Sequence, residues 1–244
     1  MASGWTGEQS AGKSQLLAVH AKAILERNIF WIKKRKFLGL PSIPRKMAFD
    51  SPMSPAFIAE VRKYGMEYIH FRQLSEVMPL NEIDIFIHEI VSWFPQRGSE
   101  PLVPEQAEFL SQAEKEGIQI YFCCQDFSQV HKAFRMHVYD LKIVIKVIGS
   151  PRPMRSAPPV KRIWGLVLYW DLDPKSFQGD NAGIQRLNAW PGIYFINKED
   201  TELYDTSYRV RGLLLPPLKM IPQQVQYYDE EGKIEKTKRI HVKR

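Results

Sequence analysis

A chain of 244 residues, 44% hydrophobic and 12% aromatic, carries enough apolar material for a substantial core, which excludes a wholly disordered protein. Its two cysteines, Cys123 and Cys124, are adjacent and have no metal-site spacing, which excludes a disulfide-built secreted module and leaves a reducing, cytoplasmic setting as the expectation. The net charge of +7 is unevenly spread: bases gather at Lys33 to Lys36, Arg45-Lys46, Lys142 to Arg162 and Lys233 to Arg244, while Glu76 to Glu116 is mostly acidic, a segregation that suits contact with a polyanion.

In chain order, the first signal is Gly7-Glu8-Gln9-Ser10-Ala11-Gly12-Lys13-Ser14, a full match to G-x-x-x-x-G-K-[ST]. The spacing is that of a loop that cradles phosphate. Two glycines let the backbone curl until successive N–H groups converge on one anion. On this reading Gly7, Gln9, Ser10, Ala11, Gly12, Lys13, Ser14 and Gln15 bind the phosphates of ATP. Lys13 reaches the β- and γ-phosphates, and the Ser14 hydroxyl ligates Mg²⁺. Residues from Ser14 to about Asn28 read as a helix, so the phosphates would rest on a helix N-terminus. Only Met1 to Thr6 precede the loop, with few apolar residues among them. The strand that normally leads into such a loop is therefore expected to be very short, or the loop to be held differently.

Leu40 to Pro55 is punctuated by four prolines and reads as a connection, without the pattern of a charged-then-apolar leader anywhere before it. Phe57, Ile58, Val61 and Tyr64 repeat at helical spacing up to Gly65, and Tyr68 to Phe71 is a short apolar strand. Ile83 to Glu89 predicts a buried strand ending in His88-Glu89; a helix over Glu105 to Glu116 follows, closed by Gly117. Ile118 to Cys124 predicts a strand ending at Gln125, then a helix from about Ser128 to His137 and a strand from Leu141 to Ile148. Alternation of this kind is the pattern of an α/β fold, a mostly parallel sheet covered on both faces. Beyond Ser150 the texture changes to a Pro/Arg linker and further strands at Arg162 to Leu172 and Ile193 to Ile196. The expected division is 1–150 for the core and 151–244 for a β-rich extension with a basic tail. Apolar runs are of strand length, so no transmembrane segment is expected.

Parallel sheets place ligands at the C-terminal ends of their strands, which singles out the polar residues there. Glu89 is the candidate base that orients an attacking water. His88 stands where an acid is expected, and a neutral imidazole can still accept a hydrogen bond from a metal-bound water without adding charge. Gln125 can bond both a γ-phosphate oxygen and the attacking water. Arg135 can stabilise transition-state charge, in a neighbouring subunit's site, as an arginine finger.

With the loop, the strand ending in Glu89, the turn Trp93-Phe94-Pro95-Gln96-Arg97 and the strand ending in Gln125 with Arg135 ten residues on, Gly7 to Ile148 resembles the FtsK–HerA superfamily of P-loop ATPases. Within it the texture is similar to the zonular occludens toxin-like (Zot-like) ATPases of filamentous phages and to viral genome-packaging ATPases. Leu203-Tyr204-Asp205-Thr206 resembles an element near the ends of some viral ATPases. The resemblance implies a RecA-like core in a homo-oligomeric ring that spends ATP to move DNA or to drive virion assembly. Capsid or virion proteins are then further partners, and the DNA contact is expected to be sequence-independent.

Overall fold

Five of the six residues ahead of the glycine loop do form a strand. β1 (Ala2–Thr6) is buried along its whole length in the middle of a sheet, so five residues suffice to lead into the loop. Its small side chains have a packing reason: a Cβ on Gly4 would come within 2.5 Å of the Phe122 ring on the adjacent strand. The neighbours supply the apolar bulk that β1 lacks.

The computed structural model describes residues 1–8, 12–96, 101–149, 165–177, 186–187, 190–201, 203, 223–228 and 234–240. After β1 come α1 (Lys13–Phe37), β2 (Lys46–Phe49), α2 (Pro55–Lys63), β3 (Tyr68–His70), β4 (Ile83–Ile87), α3 (Pro104–Gln112), β5 (Gln119–Cys123), α4 (Lys132–Arg135) and β6 (Val138–Gly149). β7 (Gly165–Leu172), β8 (Gly192–Ile196) and the single-turn α5 (Lys198–Thr201) follow. The sheet order is β3-β2-β4-β5-β1-β6-β7-β8. β1 to β6 pair in parallel, and β7 and β8 add antiparallel strands at one side. One strand, β5, separates β1 from β4, the RecA-like arrangement in an α/β fold.

Two cores flank the sheet. On one face α1 and α2 pack over Trp5, Met47, Phe49, Phe86 and Tyr121. Phe49 and Phe86 stack at 4.6 Å and Phe86 and Tyr121 at 5.0 Å, each pair in register on neighbouring strands. The row continues through His20, whose ring lies between Tyr121 at 4.9 Å and Trp5 at 5.0 Å. On the other face Phe109, Leu110 and Phe134 of α3 and α4 cover Ile85, Ile87, Ile120 and Phe122.

Three expectations change. α1 runs to Phe37 rather than stopping near Asn28, because the Asn28 amide turns inward to donate to Asp84 at 3.2 Å instead of ending the helix. The proline-punctuated connection hides β2, whose Met47, Ala48 and Phe49 are buried between β3 and β4. The helix expected over Ser128 to His137 is a 3-10 turn at Phe127–Gln129 and the short α4. There the backbone is diverted: His131 N–H donates to the Phe94 carbonyl at 2.8 Å, and Gln96 N–H to Gln129 at 2.8 Å.

Compact units divide between Asp205 and Thr206. In the second unit β9 (Gln223–Tyr228) and β10 (Ile234–Ile240) pair as an antiparallel hairpin. No helix among the described residues is long and apolar enough to cross a membrane.

Candidate nucleotide-binding site

The site begins where β1 hands over to α1. Gly7 adopts φ 134°, which side-chain-bearing residues rarely take, and a Cβ there would lie 2.6 Å from the Val144 carbonyl. Gly12, the N-cap of α1, sits in the left-handed region at φ 82°. It offers no side-chain cap, and no acidic residue occupies the first turn, so nothing in that turn competes with an anion for the amides. The loop's entrance is tied to the neighbouring strand. Gly7 N–H and the Thr6 hydroxyl both donate to the Gln125 carbonyl, at 3.3 Å each.

Lys13 is nearly fully buried and folds back over the loop, its Nζ donating to the carbonyls of Gly7 at 2.7 Å and Glu8 at 2.6 Å. Ser14 is the second residue of α1, half-buried at the same end. Gln15 uses its side-chain amide elsewhere: it donates to the Asp200 carbonyl of α5, so only its backbone N–H faces the phosphate role expected of it. Lys22 pairs with Asp200 at 3.6 Å, and Ser54 N–H donates to the Leu203 carbonyl at 3.0 Å. Through these contacts the chain after β8 spans from the start of α1 to the start of α2. Gln9, Ser10 and Ala11 of the loop, Arg97 of the Phe-Pro turn and Tyr204 to Thr206 lie outside the described residues.

The strand ends converge as expected for a parallel sheet. Burial pushes the Cys124 thiol up to about 12; Glu89 and Asp126 add to the rise, while a Thr6 hydrogen bond and the Lys13 charge oppose it. Lys13 opens α1 beyond β1, its carbonyl accepting from the Cys123 thiol of β5 at 3.3 Å, while Glu89 and Asp126 follow the ends of β4 and β5. Gln125 is exposed at that edge. Arg135 is half-buried on α4; desolvation lowers its pKa, and the charge of Asp126 works against that.

His88 is buried at the end of β4 and is held from two directions by Asp50, the residue after β2. Its Nδ1 lies 2.6 Å from Asp50 Oδ1, and its backbone N–H donates to Oδ2 at 2.9 Å. A carboxylate only accepts, so Nδ1 carries the proton. Asp84, at the other end of β4, is fully buried and taken: Arg45 Nε and Nη2 bond its two oxygens at 3.1 Å each. Sequence reasoning missed Asp50 and Asp126. Asp126 directly follows Gln125 and was within its reach, whereas Asp50 becomes a site residue only through the pairing of β2 with β4.

No protein-family model matches the chain, and no curated protein does. Among solved structures it is similar to the N-terminal domain of zonular occludens toxin from Neisseria meningitidis, at 15% identity and TM-score 0.46, over 84% of this chain and 98% of that one. It is also similar to the genome packaging NTPase B204 of Sulfolobus turreted icosahedral virus 2 in complex with ATP-gammaS, at 10% identity and TM-score 0.38, over 76% and 95% of the two chains. A third is the flagellar accessory protein FlaH from Methanocaldococcus jannaschii, at 14% identity and TM-score 0.41, over 80% and 88%.

Proposed function

We propose that this chain is an ATPase that couples hydrolysis to the movement of DNA, in genome packaging or virion assembly, as a homo-oligomeric ring. The observation that carries the reading is the loop itself: Gly7 and Gly12 in conformations other residues rarely take, around a buried Lys13, at the end of a central strand. The uncapped first turn of α1 suits a phosphate chain.

In this reading the triphosphate is drawn to Lys13 and the α1 amides, with Ser14 and, through a water, His88 holding Mg²⁺. The metal would supply charge neutralisation on the phosphate oxygens. Asp50 fixes the His88 ring. Glu89 orients and deprotonates the attacking water, and Gln125 reads the γ-phosphate. Arg135 completes the site from a neighbouring subunit. Because the Gln125 carbonyl is bonded to Gly7 and Thr6, a shift at the phosphate is passed to the loop that follows Gln125. Basic side chains then grip the DNA backbone, which carries no sequence information. Residues 151–244 serve as sheet extension and subunit contact.

A second reading, a nucleotide-binding scaffold with little or no hydrolysis, draws on His88 standing where an acid is expected. Measuring ATP turnover with and without DNA separates the two. Turnover that rises with DNA supports the motor; nucleotide binding with no turnover under either condition supports the scaffold.

A further inference from the structure

α1 is longer than the sheet it covers. Its 25 residues span about 37 Å at 1.5 Å per residue, whereas the five residues of β1 span about 17 Å. The last fully buried residue of the helix is Asn28; Ile29 and Ile32 still pack, half-buried, against the core, and the helix carries Lys33 to Phe37 past the edge of the sheet opposite the phosphate loop. The tip is folded rather than frayed. Gly39, at φ 68°, turns the chain; Leu40 N–H donates to the Arg35 carbonyl at 2.9 Å, and Arg35 Nε donates to the Pro41 carbonyl at 2.7 Å.

This spur exposes Phe30, Trp31, Phe37, Leu38, Leu40 and Ile43, with Phe37 88% and Ile43 81% accessible. Cations are interleaved with them: Lys33, Lys34, Arg35 and Lys36 fill the last helical turns, and Lys34 Nζ sits 4.9 Å from the centre of the Trp31 ring. Between Glu26 and Asp50 there is no acidic residue. Both halves of the pattern have to be satisfied by whatever covers it. A nucleic acid backbone rewards the lysines but gives nothing to Ile43, Leu38 or Phe37. A second copy seated by two-fold symmetry would set these lysines against themselves, with no acid between Glu26 and Asp50 to meet them. An anionic bilayer answers both: aromatic and aliphatic groups enter the interface while Lys and Arg stay at the headgroups.

We propose that the α1 spur docks this protein on an anionic membrane surface, leaving the nucleotide edge of the sheet facing away from the lipid. The tip is already ordered, so docking loses little chain entropy. This inference stands apart from ATP hydrolysis and survives if that reading fails.

The test is co-sedimentation of the full chain with vesicles of phosphatidylcholine, with and without phosphatidylglycerol. The chain is expected to bind only the vesicles that contain phosphatidylglycerol. The variant K33Q/K34Q/K36Q is expected to lose on the order of a hundredfold in partitioning, from roughly fivefold per cation. F37S/I43S is expected to lose at least about tenfold. All five positions are exposed, and unchanged circular dichroism and thermal unfolding would show that the variants fold. Absence of binding to the anionic vesicles overturns the proposal. So does binding that F37S/I43S leaves unchanged, with short duplex DNA displacing the vesicles, since that marks a nucleic-acid patch. Self-association abolished by F37S/I43S, with no vesicle binding, overturns it in favour of a second copy.

Discussion

Asp50 and His88 form a buried pair across two neighbouring strands, with Nδ1 2.6 Å from one carboxylate oxygen and the His88 backbone N–H 2.9 Å from the other. The pair changes what a substitution at His88 does. Aspartate at position 88 would stand beside the buried Asp50 carboxylate, and two like charges out of water repel strongly. His88→Asp alone is expected to destabilise the fold by about 3 kcal/mol, whereas His88→Asp with Asp50→Asn recovers stability and raises ATP turnover. Chemical denaturation and a turnover assay on the two variants check this.

Lys13→Ala and Glu89→Gln are expected to separate binding from chemistry. The first removes the ammonium that sits on the Gly7 and Glu8 carbonyls and lowers nucleotide affinity by about tenfold or more. The second leaves affinity within about twofold and lowers turnover by at least a hundredfold, the order of a general-base contribution. Titration with a fluorescent ATP analogue, alongside turnover, reads both.

Gly7→Ala places a Cβ 2.6 Å from the Val144 carbonyl, in a backbone conformation alanine resists. A loss of about 1–3 kcal/mol in stability is expected, together with loss of nucleotide binding. Gly65→Ala is the control. Gly65 also has a positive φ, 74°, but a Cβ there meets nothing within 4 Å, so the stability cost is about 1 kcal/mol with nucleotide binding intact.

His20 sets a pH dependence. Burial, and next the charge of Lys142, lower its pKa from 6.5 to about 4. A base with a depressed folded-state pKa contributes stability that is full above pH 6.5 and is lost as pH falls toward 4, because only the unfolded chain takes up the proton in that window. The loss is about 3 kcal/mol at most. Denaturant melts at pH 7 and pH 4.5 should show it, and His20→Phe, which keeps a ring between Trp5 and Tyr121, should shrink it.

Arg45→Ala strips Asp84 of its bidentate partner while Asn28 alone remains bonded to it. With Asp84 fully buried, a loss of about 3 kcal/mol at neutral pH is expected. Thermal unfolding at pH 7 reads it.

The sequence by itself determined the features whose physics is local. The loop pattern fixes where glycines must bend the chain, the apolar runs fix β4, β5 and most of β6, and Gly65 and Gly117 mark turns by their positive φ. Tertiary structure decided what depends on partners far along the chain. β1 is short, with only Ala2 and Trp5 apolar, yet central, because β5 and β6 bury it. β2 emerges from a proline-rich stretch because β3 and β4 bracket its three buried residues. α4 shrinks because Phe94 and Gln96 claim the backbone groups a longer helix would use. Asp50 joins the site because sheet register, which no local pattern encodes, sets the end of β2 beside the end of β4.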